Sequence, residues 1–201
     1  MNISTKSIRD QIEIQLNKSI ENVNEDELLN IKTISINQLG YDDEINLINY
    51  DEINYFKNLE DLTIFNCMIN EKLLNNILQL QNLKKLFIYD SDFIDDIKDD
   101  FSKMKLEELT IGNCLGISNL TLENLKSLNI INININSFIN NIETLDISRT
   151  NNNLKDLNCT NIKNIIISKN NYNTPEDLEN INSNISIIDE KNKIIKEIKN
   201  D

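Results

Sequence analysis

The chain is 201 residues long, carries a formal charge of −13 and contains no histidine. That length suits one domain with a core of useful size. The acidic balance argues against nucleic acid and anionic membrane surfaces, because both are held through basic patches that the sequence lacks.

Residues 1–27 have no basic run followed by an apolar run, so no secretory signal is expected. Ile8, Ile12, Leu16 and Ile20 recur every four residues, with Ile3 and Val23 flanking them. This spacing predicts a helix, with Ser4 as its cap. Its expected role is to cover the open end of the structure that follows, and a separate partner-binding helix is the alternative.

Residues 28–190 repeat one apolar unit, L-x-x-L-x-L-x-x-N/C, with Ile often in place of Leu. It starts at positions 31, 59, 83, 106, 125, 142 and 162, and a frayed eighth copy is expected from Ile185. The fullest copies are Leu59-x-x-Leu62-x-Ile64-x-x-Cys67, Leu83-x-x-Leu86-x-Ile88-x-x-Ser91 and Leu106-x-x-Leu109-x-Ile111-x-x-Cys114; the seventh ends at Asn170. Each copy predicts one strand and a turn that cannot bury its apolar side alone. Copies must therefore stack, strand beside strand.

The starts are 28, 24, 23, 19, 17, 20 and 23 residues apart. Long intervals leave room for a helix behind the sheet, and Glu71–Leu80 and Ile94–Phe101 carry helical spacing. The section from 125 to 162 leaves room only for extended chain, and Ile131–Asn136 alternates with period two. Thr174-Pro175-Glu176-Asp177 reads as a helix start. Residues 191–201, with Ile194, Ile195 and Ile198, read as a closing helix. No linker rich in Gly, Pro or Ser marks a second domain.

Side chains alternate along a strand. Positions 1, 4 and 6 of each copy should face the core, and positions 3, 5 and 7 the opposite face. That face reads mostly small and polar. The exception is Phe65, Phe87 and Tyr89 on adjacent copies, with Asp61 and Lys85 beside them. Rings with a polar rim are the anatomy of an interaction hot spot. Chance composition, or a loop covering the rings, is the bland alternative. Ile131 and Ile166 either extend the patch or reflect the abundance of isoleucine.

Without histidine there is no Ser-His-Asp triad, Cys-His dyad or His-containing metal site. Gly40, Gly112 and Gly116, the only glycines, cannot make a phosphate-cradling loop. The acidic stretch from Asp90 fails as a calcium loop, because Ile94, Asp95 and Phe101 stand where an oxygen ligand, glycine and glutamate are needed. No metal or cofactor is expected, and the chain is expected to be non-catalytic. Cys67 and Cys114 close their repeats and should be buried, while Cys159 lies outside the frame as a half-buried loop thiol. Three cysteines, no export signal and no apolar run near the roughly 18 residues of a membrane span make the cytoplasm the expected compartment.

The recurring unit resembles the leucine-rich-repeat superfamily. That resemblance implies an α/β fold, a leucine-rich-repeat solenoid with one curved parallel sheet, short convex helices and terminal capping helices. Ser91, Ile133 and Thr150 at the Asn/Cys position depart from the pattern. The chain has 38 Asn, 37 Ile and no Ala, a bias toward A/T-rich codons. This bias and the small size are similar to the leucine-rich-repeat gene families of insect poxviruses; A/T-rich protists and bacteria carry the same bias. The viral resemblance implies a host protein as partner. The expected function is a protein-protein interaction module that binds on its concave face. The alternative is the substrate-recognition subunit of a larger enzyme complex such as a ubiquitin ligase, docked through the N-terminal helix.

Overall fold

A computed structural model describes residues 3–38, 49–94, 101–102, 104–117, 119–122, 125–133, 135, 137–139, 142–153, 162–178, 181, 183–189 and 191–199. The architecture is mixed α/β, built on an open and mostly parallel sheet. The chain enters through α1 (Lys6–Leu16) and α2 (Glu25–Leu28), then β1 (Thr33–Asn37), β2 (Asp61–Phe65) and β3 (Met68–Ile69). Next come α3 (Glu71–Leu78), β4 (Lys85–Tyr89), β5 (Asp92–Phe93), β6 (Glu108–Gly112) and β7 (Asn119–Thr121). The remaining strands are β8 (Leu125–Ile131), β9 (Ser137–Ile139), β10 (Ile142–Arg149), β11 (Ile162–Ile167), β12 (Asn184–Ile188) and β13 (Ile194–Ile198). No helix among the described residues is long and apolar enough to cross a membrane.

The main sheet has the order β1-β2-β4-β6-β8-β10-β11-β12-β13. Its strands run parallel from β1 to β12, in the order in which the repeats occur. Equivalent repeat positions lie in one row: Ile34, Leu62, Leu86, Leu109, Leu128, Leu145 and Ile165 are successive partners. Ile185 continues that row opposite Ile165. Ile185 therefore holds position 4 of the eighth unit, not the start expected of it.

Positions 1, 4 and 6 of the seven full units are all under 5% exposed, from Ile31 to Ile167. Each such side chain contributes on the order of 1.5–3 kcal/mol of transfer free energy. The sheet's inner face is thus the core. Behind it, β3 pairs with β5 and β7 with β9, two short parallel sheets that follow the strand-ending turns. α3 is the expected helix of the second repeat. Asn70 caps it by accepting from the Leu73 N–H at 2.9 Å, and Leu73, Leu74 and Ile77 are buried. For the helix expected at Ile94–Phe101, residues 95–100 lie outside the described ones, and so does Cys159. In Ile131–Asn136, expected to be extended, Ile131 ends β8 and Asn132 turns the chain with φ 51°, while residues 134 and 136 lie outside the described ones.

That turn recurs. Asn66, Asp90, Asn113 and Asn132 occupy the same repeat position with φ of 51°, 48°, 50° and 51°. Asn and Asp adopt this left-handed region most readily among residues with a β-carbon. Their side chains join across strands: the Asn132 amide donates to Asn113 at 2.9 Å, and the Asn113 amide to Asp90 at 2.8 Å. One residue on, Cys67, Ser91, Cys114, Ile133 and Thr150 are buried, as the repeat frame requires. In the seventh repeat Asn170 is exposed and Asn171 is fully buried instead. A 3-10 turn at Lys169–Asn171 moves the interior position by one. The Asn171 amide donates to the Asn152 and Thr150 carbonyls at 2.9 and 3.2 Å.

The two ends of the sheet close differently. α1 lies on the outer edge of β1 with Ile8 and Ile12 fully buried. Gln11 donates to the Ser35 carbonyl at 2.6 Å and accepts from the Ser35 N–H at 2.7 Å, as a neighbouring strand would. Gln15 donates to the Thr33 carbonyl at 2.8 Å. Ser4 does not cap the helix. The N-cap is Thr5, and the Ser4 hydroxyl instead donates at 2.7 Å to Glu52, a fully buried carboxylate that also accepts from the Thr5 N–H at 3.2 Å. Ile20 falls in a separate 3-10 turn, Ile20–Asn22.

At the C-terminal end the expected closing helix is a strand. β13 folds back antiparallel on β12. Asp189 makes the reversal by accepting from the Lys191 and Lys193 N–H groups at 2.9 and 2.8 Å, and Asn192 takes φ 59°. The isoleucine spacing fitted a helix, but the unpaired backbone of β12 offered a strand partner that a helix could not use. Pro175 opens a 3-10 turn, Pro175–Leu178, at the expected helix start.

Candidate functional site

The outer face of the sheet carries positions 3, 5 and 7, all half-buried or exposed except in the position-7 row, where Gly112, Ile131 and Ser148 are buried. In the parallel register, Asp61, Lys85 and Glu108 form one row, and Thr63, Phe87 and Thr110 the next. Phe65, Tyr89, Gly112 and Ile131 form the third. The three aromatic residues come together. The Phe65 and Tyr89 rings stack with centroids 5.8 Å apart and planes 7° apart. Phe87 stacks on Tyr89 at 5.7 Å and 16°.

Gly112 is a component that the sequence reading missed. A β-carbon there would lie 2.4 Å from Tyr89 Cε2 and 3.2 Å from Ile131 Cβ. The absent side chain leaves the space that the Tyr89 ring fills. Ile131, expected to extend the exposed patch, is only 8% exposed. It walls that space from the far side and presents little surface of its own. The only available signal was a glycine at a position where neighbouring repeats carry rings.

The rim is charged. Lys85 Nζ lies 2.9 Å from Glu108 Oε1. The Glu108 hydrogen bond and its charge, with Asp61 adding to the field, raise the Lys85 pKa. Two carboxylates thus face one ammonium beside the rings. Further along the same face, Asn129 Oδ1 is shielded from solvent and has no hydrogen-bond partner among the described residues. A desolvated acceptor of that kind is costly until a donor meets it.

A second feature was legible and overlooked. Position 2 of the seven repeats reads Lys32, Glu60, Lys84, Glu107, Lys126, Glu143 and Lys163, a strict alternation of charge across seven strands. Ion pairs form along it: Glu60 to Lys32 at 3.2 Å and to Lys84 at 2.6 Å, Lys126 to Glu107 at 2.7 Å, and Lys163 to Glu143 at 3.3 Å. The Lys84 hydrogen bond holds the Glu60 pKa low, and Lys126 does the same for Glu107. Lys32, Glu60, Lys84, Lys105 and Glu107 line a shallow cleft of about 400 Å³. Apart from Lys105, its charges take part in ion pairs of the row, which aligns strands.

Cys67 and Cys114 are free thiols behind the turns, and burial pushes both pKa values up to about 11. Their Sγ atoms lie 3.2 and 3.1 Å from the Phe65 and Gly112 carbonyls. Among the described residues no group of three or more His, Cys, Asp or Glu could hold a metal ion. No family model and no curated protein matches the chain.

Proposed function

We propose that the chain is a leucine-rich-repeat solenoid acting as a non-catalytic protein-interaction module, with a protein partner bound on the outer, concave face of its sheet. The observation that carries this reading is the stack of Phe65, Tyr89 and Phe87 on the neighbouring, in-register strands β2 and β4, on a face that is otherwise mostly polar. Half-buried aromatic rings inside a charged rim of Asp61, Lys85 and Glu108 have the composition of an interface centre. A reducing, cytoplasmic setting suits the free thiols of Cys67 and Cys114.

The recognition-subunit reading needs the N-terminal helix as a docking element. α1 instead spends Ile8, Ile12, Gln11 and Gln15 on the edge of β1, which favours the simple binder. The test is affinity purification from the native cell with wild type, Phe87→Ser and Leu115→Ser in parallel. Leu115 is 71% exposed on the bridge with Asp92, away from the ring stack. A partner retained by wild type and Leu115→Ser but lost by Phe87→Ser supports the reading. A partner retained equally by all three overturns it.

A further inference from the structure

The outer edge of β13 is the one margin of the main sheet that the described residues leave bare. β1 is covered by α1, whereas no described strand or helix lies beyond β13. Residues 194–197 are all exposed, including Ile194 at 51% and Ile195 at 48%. A free edge is a row of unpaired backbone donors and acceptors that an extended chain can complete.

The segment that carries this edge is rich in lysine, in contrast to the acidic balance of the whole chain. Residues 191–199 carry Lys191, Lys193, Lys196 and Lys199 against Glu197 alone, a formal +3 in a chain of −13. Lysines on an edge strand suppress pairing with a like edge. In a symmetric antiparallel pair of two copies, the register that matches Ile194 with Ile198 sets Lys196 against its own copy and Lys193 against Lys199. The same charges favour a strand that carries carboxylates.

At the ends of β11 and β12, on the inward side of β13, lies a cleft of about 520 Å³ whose lining includes Ile188 and Ile195, with Lys169, Asp189 and Lys191 as its charged residues. The Asp189 carboxylate in the same lining accepts from the backbone of Lys191 and Lys193.

From the bare edge, its exposed isoleucines and the lysines of residues 191–199, we infer that β13 is a docking site for an extended acidic segment of another protein, added to the sheet as a further strand. This site is separate from the ring stack and does not depend on it.

The probe is a short end-blocked peptide alternating valine and glutamate, titrated into the full chain and followed by backbone-amide NMR. The expected result is saturable binding with shift changes concentrated at residues 188–199. Lys193→Glu combined with Lys196→Glu should weaken it by at least about tenfold, or about 1.4 kcal/mol. The same peptide with alternate backbone amides methylated keeps its charge but loses donors, and it should also lose at least about tenfold. Phe87→Ser should bind the peptide as wild type does. No binding at about millimolar peptide, equal affinity for the methylated peptide, or shift changes centred elsewhere would each overturn the inference.

Discussion

Tyr89 and Gly112 are paired residues on adjacent strands, and the ring of one occupies the place where the side chain of the other would be. Gly112 does not have the positive φ that would demand glycine, unlike Gly116 at 78°. Its requirement is space alone. Gly112→Ala should therefore leave the backbone unstrained and stability within about 1 kcal/mol, since alanine also restricts the unfolded chain. The ring must move, because it cannot share a 2.4 Å approach. The prediction is a displaced Tyr89, seen as changed ring resonances, and weaker partner binding at nearly unchanged melting temperature. An unmoved ring would contradict it.

Phe87 and Leu86 are neighbours in sequence on opposite faces of β4. Leu86 is 2% exposed and Phe87 half-buried on the outer face. Leu86→Ser should cost roughly 2–5 kcal/mol through loss of core packing and a buried hydroxyl. Phe87→Ser should cost under about 1 kcal/mol of stability. It should cost about 2 kcal/mol or more of partner affinity, near 30-fold. Denaturant melts with a binding titration of each variant separate the two effects. Equal destabilisation would mean that Phe87 belongs to the core.

What the sequence shows about this fold follows from what is periodic. The apolar positions, their phase and their row-by-row register are legible because every repeat solves the same burial problem. The closures are not periodic. Gln11 and Gln15 are polar residues on a helix, and nothing in their spacing reveals that they complete a strand edge. β13 was misread because Ile194, Ile195 and Ile198 fit both periods, and the vacant edge of β12 is a tertiary fact. Of the outer patch, the ring phases were legible, whereas the burial of Ile131 depends on where Tyr89 leans. The left-handed turns could have been read. Asn66, Asp90, Asn113 and Asn132 recur at one repeat position, but abundant asparagine elsewhere hides them.

The buried thiols give a pH dependence. Cys67 and Cys114 have folded-state pKa values raised to about 11, above the ordinary thiol value of 9.0. The folded state thus holds its thiol protons more tightly than the unfolded chain does. Their contribution is complete below about pH 9 and is lost as pH rises through about 11. Stability should fall over that window, and Cys67→Ala with Cys114→Ala should flatten the fall while lowering stability at neutral pH. Below pH 9 neither thiol should react with iodoacetamide on the timescale of an unfolded control. Rapid native-state labelling of both would refute their burial.

Glu52 ties the N-terminal cap to the first repeat. Its buried carboxylate is acceptor for the Ser4 hydroxyl and the Thr5 N–H, so it serves the start of α1 from across the structure. Glu52→Ala would leave those donors without their charged acceptor, at a cost of about 1.5–3 kcal/mol. The loss should be local. Hydrogen exchange should quicken at residues 4–16 and along β1, where Gln11 and Gln15 lose their seat, and remain slow in β6, β8 and β10. Uniform acceleration across the sheet would show that the cap and the repeats unfold as one unit.

The alternating row at position 2 makes its own prediction about strand order. Glu60 lies between Lys32 and Lys84, and Glu107 is paired with Lys126 while still feeling the charge of Lys84. Each pair is exposed, so one link is worth at most about 1 kcal/mol. Lys84→Glu does more than delete a link. It places three carboxylates on consecutive strands about 4.8 Å apart, and opposite charges become like charges on both sides. The expected loss is about 1–2 kcal/mol at low salt, shrinking toward zero near molar salt as screening shortens to a few ångströms. Reversing the neighbours as well, with Glu60→Lys and Glu107→Lys added to Lys84→Glu, removes the repulsion among those three. It also sets like charges against Lys32 and Lys126 at the ends of the segment. The triple variant should therefore recover only part of the loss, and recover the rest only when Lys32→Glu, Lys126→Glu, Glu143→Lys and Lys163→Glu are added and the whole row is inverted. Urea melts at low and high salt across this series measure it. A Lys84→Glu penalty that does not depend on salt would mean that the lysine stem, packed along the sheet, matters more than its charge.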